Sequence, residues 1–282
     1  MIDVHTHCLM PEHWGREWED HWQPVYGKPY PAVTPQEYDE AMAPVSVALV
    51  FGLRATAVGV ATPHTDVAAF CRETRTDTIG FMALDLADPD VLDHMREGVD
   101  LGLRGIKLYP VLGGFDASDE ARHGAFYAAA EEARLPVLWH MGATPSPVGD
   151  LAVTQPLVID QVARRHPGLV QIIAHMGHPW QTDTIVVLRK NPNVFADVSA
   201  LWSRPLDGYF TLVRAQEWDV VDKLLFGSDF PLWTPADAMQ SLRRLATMDV
   251  GDLPRVASET VERIIAQDAL DLLSLSGTHS TG

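Results

Sequence analysis

Six polar side chains in this sequence could share one reaction: His5, His7, Lys107, His140, His175 and Asp229. The first two fall in the hexapeptide Ile2-Asp3-Val4-His5-Thr6-His7. Side chains alternate along a strand, so Asp3, His5 and His7 are expected on one face, with Ile2, Val4 and Thr6 on the other. Such a face can offer two imidazole nitrogens to one metal ion. The other four sit in or just after short apolar runs: Lys107 within Gly105-Ile106-Lys107-Leu108-Tyr109, His140 ending Pro136-Val137-Leu138-Trp139-His140, His175 ending Val170-Gln171-Ile172-Ile173-Ala174-His175, and Asp229 just beyond Lys223-Leu224-Leu225-Phe226. A solitary histidine is ordinarily a hydrogen-bonded core or surface residue. Several polar residues at matching strand ends are not explained that way, and imidazoles with a carboxylate can serve both as metal donors and as acids and bases.

These residues need a scaffold that gathers strand ends. Apolar runs predict strands over 2–7, 46–51, 79–84, 105–109, 136–140, 170–175, 194–199 and 223–226. Helical spacing predicts helices over 35–43, 66–75, 89–101, 120–134, 154–166, 184–189, 208–218, 235–247 and 258–273. Eight strands alternating with helices imply parallel pairing through right-handed crossovers. The fold class is therefore α/β, a single-domain (β/α)8 barrel over residues 1–275, whose C-terminal strand ends converge on one mouth. No Gly-rich G-x-G-x-x-G turn follows the first strand, which argues against a dinucleotide-binding sheet. Residues 8–34 mix Trp14, Trp18, Trp22 and Tyr30 with four prolines and read as a long loop with a helical turn, either covering the barrel wall or closing over the mouth. The polar segment 276–282 reads as a disordered tail.

A chain of 282 residues with 46% hydrophobic content can bury one large core. Its net charge of -17, from 38 acidic and 21 basic residues, argues against nucleic acid or an anionic membrane as partner and leaves a small molecule. Cys8 and Cys71 are the two cysteines. With no apolar leader before the first strand and no run long enough to span a membrane, the expectation is a cytoplasmic chain with reduced thiols.

The motifs quoted above, together with Pro110, Ala174-His175-Met176-Gly177 and Phe226-Gly227-Ser228-Asp229-Phe230-Pro231, resemble the amidohydrolase superfamily. The similar branch is the one containing aminocarboxymuconate-semialdehyde decarboxylase and related metal-dependent hydrolases. The resemblance runs almost end to end and implies a distorted (β/α)8 TIM barrel. It also implies one divalent metal held by His5, His7, His140 and Asp229, with His175 beside the metal without binding it, and a homodimer. Three imidazoles and one carboxylate around an open coordination position suit catalytic Zn2+, with Mn2+, Fe2+ or Co2+ as alternatives. Three readings are open to Lys107: a carbamate bridging a second metal, a cation for an anionic substrate, and a salt-bridged barrel residue. Where family members commonly carry Asn-Ala in the last helix, this chain has Asp268-Ala269.

Tyr109, Trp139, His178, Trp180, Ser199, Trp202 and Trp233 are further candidates for the mouth, with packing as the alternative for the aromatics. Arg54 and Arg204 are open either to a substrate carboxylate or to solvent. His64 reads as an ordinary loop residue, Cys8 alternates away from His7, and Asp3 reads as a carboxylate supporting the site from deeper on its face. Two catalytic readings follow. One is a hydrolase acting on a C–N, lactone or related bond, with Asp229 as the proton carrier and His175 hydrogen-bonding the oxyanion. The other is a nonoxidative decarboxylase of an unsaturated or aromatic acid. A metal-binding protein without turnover is the alternative of another class.

Overall fold

The computed structural model describes residues 1–15, 24, 31–144 and 146–276. Eight parallel strands form one sheet: β1 (Ile2–His7), β2 (Val47–Phe51), β5 (Thr78–Leu84), β6 (Gly105–Leu108), β7 (Val137–Trp139), β8 (Gln171–Ile173), β9 (Val194–Asp197) and β10 (Leu224–Leu225), paired in that order. A two-stranded antiparallel ribbon, β3 (Arg54–Ala55) and β4 (Val60–Ala61), follows β2. The large sheet closes on itself. Val4 N donates to Phe226 O (2.9 Å), Asp229 N to His5 O (2.8 Å) and His7 N to Phe230 O (2.9 Å), which ties the first strand to the end of the last. The expected barrel is thus present, with the expected number of staves.

Local chemistry explains the elements. Val47-Ala48-Leu49-Val50-Phe51 is apolar at every position because one strand face meets the barrel interior and the other meets helices. Helix Pro35–Ala41 opens on a reciprocal cap in which Thr34 accepts from Glu37 N and Glu37 accepts from Thr34 N. Helix Pro235–Ala246 likewise starts on Thr234 with proline in its first turn. The predicted helix over 258–273 is in fact two, Ser258–Ala266 and Ala269–Leu272, because Asp268 caps a new start by accepting from Asp271 N.

The interior has two levels. Toward the strand starts it is filled by Val4, Val47, Leu49, Ile79, Phe81, Leu138, Ile172, Phe195 and Leu225, and Ala269, Leu270, Leu273 and Leu275 pack onto the same cluster. Toward the strand ends it holds His5, His7, Lys107, His140, His175 and Asp229. The face assignment for β1 needs correction. Its register with β2 slips between Asp3 and Thr6, so Ile2 and Val4 pack with the inner apolar cluster while His5 and His7, after the slip, also line the interior cavity. Asp3 therefore does not share the histidines' face. One of its oxygens accepts from Ser228 N (3.0 Å) and His5 N (3.1 Å), bracing the seam between the first and last strands.

Most of the 8–34 segment, Trp18, Trp22 and Tyr30 included, and residues 277–282 lie outside the described residues, so the lid and tail expectations concern chain beyond the description. Among the described residues no helix is long and apolar enough to cross a membrane.

Candidate metal centre

His5, His175 and Asp229 each place a ligand atom within 4.8 Å of the others. Oδ1 of Asp229 lies 3.4 Å from His5 Nε2 and 3.3 Å from His7 Nε2. The ring of His140 stands 5.1 Å from that of His175, and its Nε2 is buried without a hydrogen-bond partner among the described residues. The three later members of the group come from the ends of different strands, and two of them, His175 and Asp229, sit on a local backbone device that aims them. Beyond β8, the turn Ala174–Gly177 places His175 and Met176 in the left-handed region (φ 55° and 52°), and beyond β10 Asp229 adopts φ 62°. Left-handed conformations cost non-glycine residues free energy and gather at functional sites. Gly227 lets β1 come close, since a Cβ there would stand 2.8 Å from the Cβ of His5.

The carboxylate that organises the group is one the sequence reading overlooked. Asp197 ends β9, is fully buried, and accepts from His5 Nδ1 (2.8 Å) through Oδ2. Its Oδ1 accepts from His175 N (3.0 Å), Ser199 N (3.0 Å) and the Ser199 hydroxyl. Ser199 Oγ in turn lies 2.7 Å from His175 Nδ1. The available signal was that Asp197 is the one ionisable residue in the run Val194-Phe195-Ala196-Asp197-Val198-Ser199 and stands at a strand end.

Charge follows from these contacts. Burial lowers the pKa of His5, His7, His140 and His175, the last to about 4, so all four imidazoles are neutral at pH 7. Burial works against an ionised Asp229, but His175, His7 and His5 outweigh it and hold the carboxyl at about 2. Asp197 is likewise held well below the usual range, because His5, His175 and Ser199 overcome its burial. Burial brings Lys107 down to about 7 against the pull of Asp197 and Asp229.

The donor set suits a divalent cation. His5 gives its Nδ1 hydrogen to Asp197, so its Nε2 carries a lone pair that faces a carboxylate oxygen at 3.4 Å. Two acceptors so placed repel unless a cation stands between them. The partnerless Nε2 of His140 adds another donor of the same type. One expectation changes: His175 has its Nδ1 directed at Ser199, so its Nε2 enters the cavity as an acceptor and can donate to an oxyanion only after taking a proton.

Two connected lobes share His140, His175, Asp229 and Leu232. The first, about 560 Å3 with its opening, lies between Leu9, Trp14, Leu53 and Tyr109, with Lys107 inside it. The second, about 1090 Å3 with its opening, is walled by His178, Ser199, Ser203, Arg204 and Trp233. Lys107 Nζ has no hydrogen-bond partner among the described residues and lies 4.8 Å from the Phe51 ring centre, so the salt-bridged reading finds no partner. Tyr109 packs against His140 at 4.2 Å between ring centres.

Other candidates lie elsewhere. Trp180 lines neither lobe and sits at the start of helix Gln181–Lys190. Trp202 is buried against Trp233, one residue back from the wall. Trp139 faces outward into the helical layer and donates to Gln171. Arg54 is engaged by Asp88 (2.5 Å), away from both lobes. His64 belongs to helix His64–Glu73, with Nε2 3.2 Å from Ala83 O, rather than to a loop. Cys8 and Cys71 are both free, and Cys8 is buried outside the cavity walls.

Comparison with known proteins agrees with this fold. A Tim-barrel protein from Bordetella bronchiseptica superposes with a TM-score of 0.75 at 22% identity, covering 98% of this chain and 99% of that one. A probable 2-pyrone-4,6-dicarboxylic acid hydrolase from Acinetobacter baumannii, solved with citric acid, gives 0.66 at 14% identity over 97% and 98%. A dihydroxybenzoic acid decarboxylase from Polaromonas sp. JS666, solved with manganese and 2-nitroresorcinol, gives 0.63 at 15% identity over 97% and 96%. Among curated proteins none matches significantly. The amidohydrolase family profile matches residues 2–269, nearly the whole chain, and with the strand-end histidines and Asp229 in place, the chain belongs to the amidohydrolase family.

Proposed function

We propose that the protein is a metal-dependent hydrolase of a C–N, lactone or related bond in a small molecule, with the cation held by His5, His7, His140 and Asp229. The observation that carries the reading is the pair of imidazole Nε2 atoms meeting one oxygen of Asp229 at 3.3 and 3.4 Å in the cavity at the barrel mouth. A bound divalent cation would supply Lewis acidity at a carbonyl and a water nucleophile near neutral pH. The manganese in the Polaromonas neighbour supports a metal of this class, and Zn2+ fits the nitrogen-rich donor set best.

The chain's own residues divide the remaining work. The neutral Nε2 of His175 takes a proton from the attacking water and, once charged, becomes a hydrogen-bond donor facing the reacting carbonyl. Asp229, ionised at neutral pH, stabilises that charge and relays the proton from His175 to the leaving group. Leu9, Leu53 and Tyr109 give the first lobe an apolar wall, which lowers the local dielectric and strengthens each of these interactions. Purified protein supplied with Zn2+ or Mn2+ and assayed against lactones and cyclic amides should incorporate one water oxygen into product. Protein that binds neither metal would sink the assignment.

A second reading, nonoxidative decarboxylation, is favoured by two cations that face the cavity. Lys107 has no hydrogen-bond partner among the described residues, and Arg204 stands on the wall of the second lobe beside His178. Either would hold a carboxylate. The decarboxylase and hydrolase among the fold neighbours support both chemistries. Carbon dioxide release without incorporation of labelled water oxygen decides for this reading.

A further inference from the structure

We propose that Asp197 is a positioning residue that fixes two imidazoles at once, His5 directly and His175 through Ser199, in the tautomer that turns both Nε2 lone pairs toward Asp229. The inference rests on the reading of the cavity as a metal centre and adds how that centre is kept ready. Counting donors and acceptors around Asp197 places the hydrogens. An ionised carboxylate only accepts, so every group that meets Asp197 must donate. Oδ2 meets His5 Nδ1 at 2.8 Å, which places the hydrogen of His5 on Nδ1. Oδ1 meets the Ser199 hydroxyl, so that hydroxyl spends its hydrogen on Asp197 and turns its lone pairs outward. His175 Nδ1 lies 2.7 Å from this oxygen and 3.3 Å from the Ser199 carbonyl. Both are acceptors there, so the His175 hydrogen is on Nδ1 as well.

The backbone adds to the arrangement. Oδ1 also takes the N–H of His175 and of Ser199, each at 3.0 Å. The carboxylate thus holds the left-handed turn that carries His175 as well as the orientation of its ring. Nothing in the site replaces these contacts, because Asp197 is fully buried and lines neither lobe.

Asn in place of Asp197 keeps the shape but presents an NH2 group to one of the two imidazole branches. The Oδ1 position meets two backbone N–H donors that cannot turn away, so the NH2 takes the side facing His5, whose ring must move its hydrogen to Nε2 and point it at the metal position. Loss of a partner of this kind typically weakens metal affinity or activity about 10- to 100-fold. Ser199→Ala breaks only the branch to His175. The inference therefore predicts a split. Asp197→Asn should weaken Zn2+ binding, read by chelator competition, by at least tenfold. Ser199→Ala should leave Zn2+ binding within about twofold of wild type and lower kcat with little change in KM.

The wild-type protein supplies the test that needs no variant. In metal-free, 15N-histidine-labelled protein, long-range proton–nitrogen spectra should show His5 and His175 with hydrogen on Nδ1 and bare Nε2. Nε2–H on either ring overturns the inference, and so does an Asp197→Asn protein that retains wild-type Zn2+ affinity. Wild-type protein that binds neither Zn2+ nor Mn2+ instead overturns the metal-centre reading, and the tautomer spectra still judge Asp197. Thermal melts of both variants identify any global loss of fold, in which case the wild-type spectra decide.

Discussion

The two ends of the barrel interior are built from the same strands yet obey opposite rules. At the strand starts Val4, Leu49, Ile79, Phe81, Leu138, Ile172 and Phe195 interlock as one apolar cluster. A few residues further along, the interior holds imidazoles, an ammonium and carboxylates, and the turns beyond β8 and β10 hold His175, Met176 and Asp229 in left-handed conformations. The lower level gains from each buried methyl group, about 25 cal/mol per Å2 of apolar surface removed from water. The upper level loses free energy by desolvating its polar groups and is acceptable only because they answer one another. The lower level holds the upper one in register, so chemistry and stability are separable along a single strand.

Asp229→Asn should break that separation most visibly. The amide keeps the size of the side chain but removes the negative charge that His175, His5 and His7 face. Turnover should fall on the order of 100- to 10,000-fold, the usual worth of an acid–base group, with thermal stability near wild type. Near-wild-type turnover with metal bound would remove Asp229 from the mechanism.

Leu49→Ala probes the other level. Leu49 is fully buried among the lower apolar side chains on β2, which carries no candidate ligand. The expected cost is about 2 to 5 kcal/mol, read from the urea midpoint, with Zn2+ affinity per folded molecule unchanged. A tenfold loss of affinity would show that the apolar floor sets the geometry above it and does not merely support it.

Gly227→Ala strikes between the levels. A methyl group there would press on the Cβ of His5 at 2.8 Å and also approach the Cβ of Ser199 at 3.3 Å. The strain should cost about 1 to 3 kcal/mol. Unlike Leu49→Ala, it should also weaken Zn2+ binding, because the side chain displaced is one of the proposed ligands. A variant that loses stability but keeps affinity would mean that His5 can follow the strand without turning its ring.

The lower level and the strand count were legible because apolar runs of strand length between helical stretches have few other meanings. His5, His7, His140 and Asp229 were legible for a related reason: polar residues ending such runs share one mouth. What escaped was whatever depends on a single backbone irregularity. Strict alternation placed Asp3 with the histidines, whereas the slip between Asp3 and Thr6 turns it to the seam. The left-handed pair His175 and Met176 ends β8 early and points His175 at Ser199, and a propensity for extended structure through Ala174-His175 does not reveal that. Asp197 escaped for another reason. Its role is defined by partners at positions 5, 175 and 199, which only the closed barrel brings together.

The subtlest contrast is between Asp3 and Asp197, two fully buried carboxyls that flank His5. Burial raises Asp3 to about 7 in spite of the donors Ser228 and His5, so below that pH it is a neutral acid, whereas Asp197 is ionised. Asparagine imitates the former and not the latter. In metal-free protein between pH 4 and 6.5, the unfolded chain binds more protons at His175, whose folded pKa is about 4, so this residue makes stability rise with pH. Asp3 acts in the opposite direction, since from pH 3.8 to about 7 the folded protein retains a proton that the unfolded chain releases. The two slopes oppose each other in wild type. Asp3→Asn keeps an oxygen for Ser228 N and His5 N and abolishes one slope, so its urea midpoint should match wild type at pH 4 and climb above it toward pH 7. Parallel curves over that range would mean that Asp3 is ionised in the folded protein, with its charge balanced across the seam from Ser228.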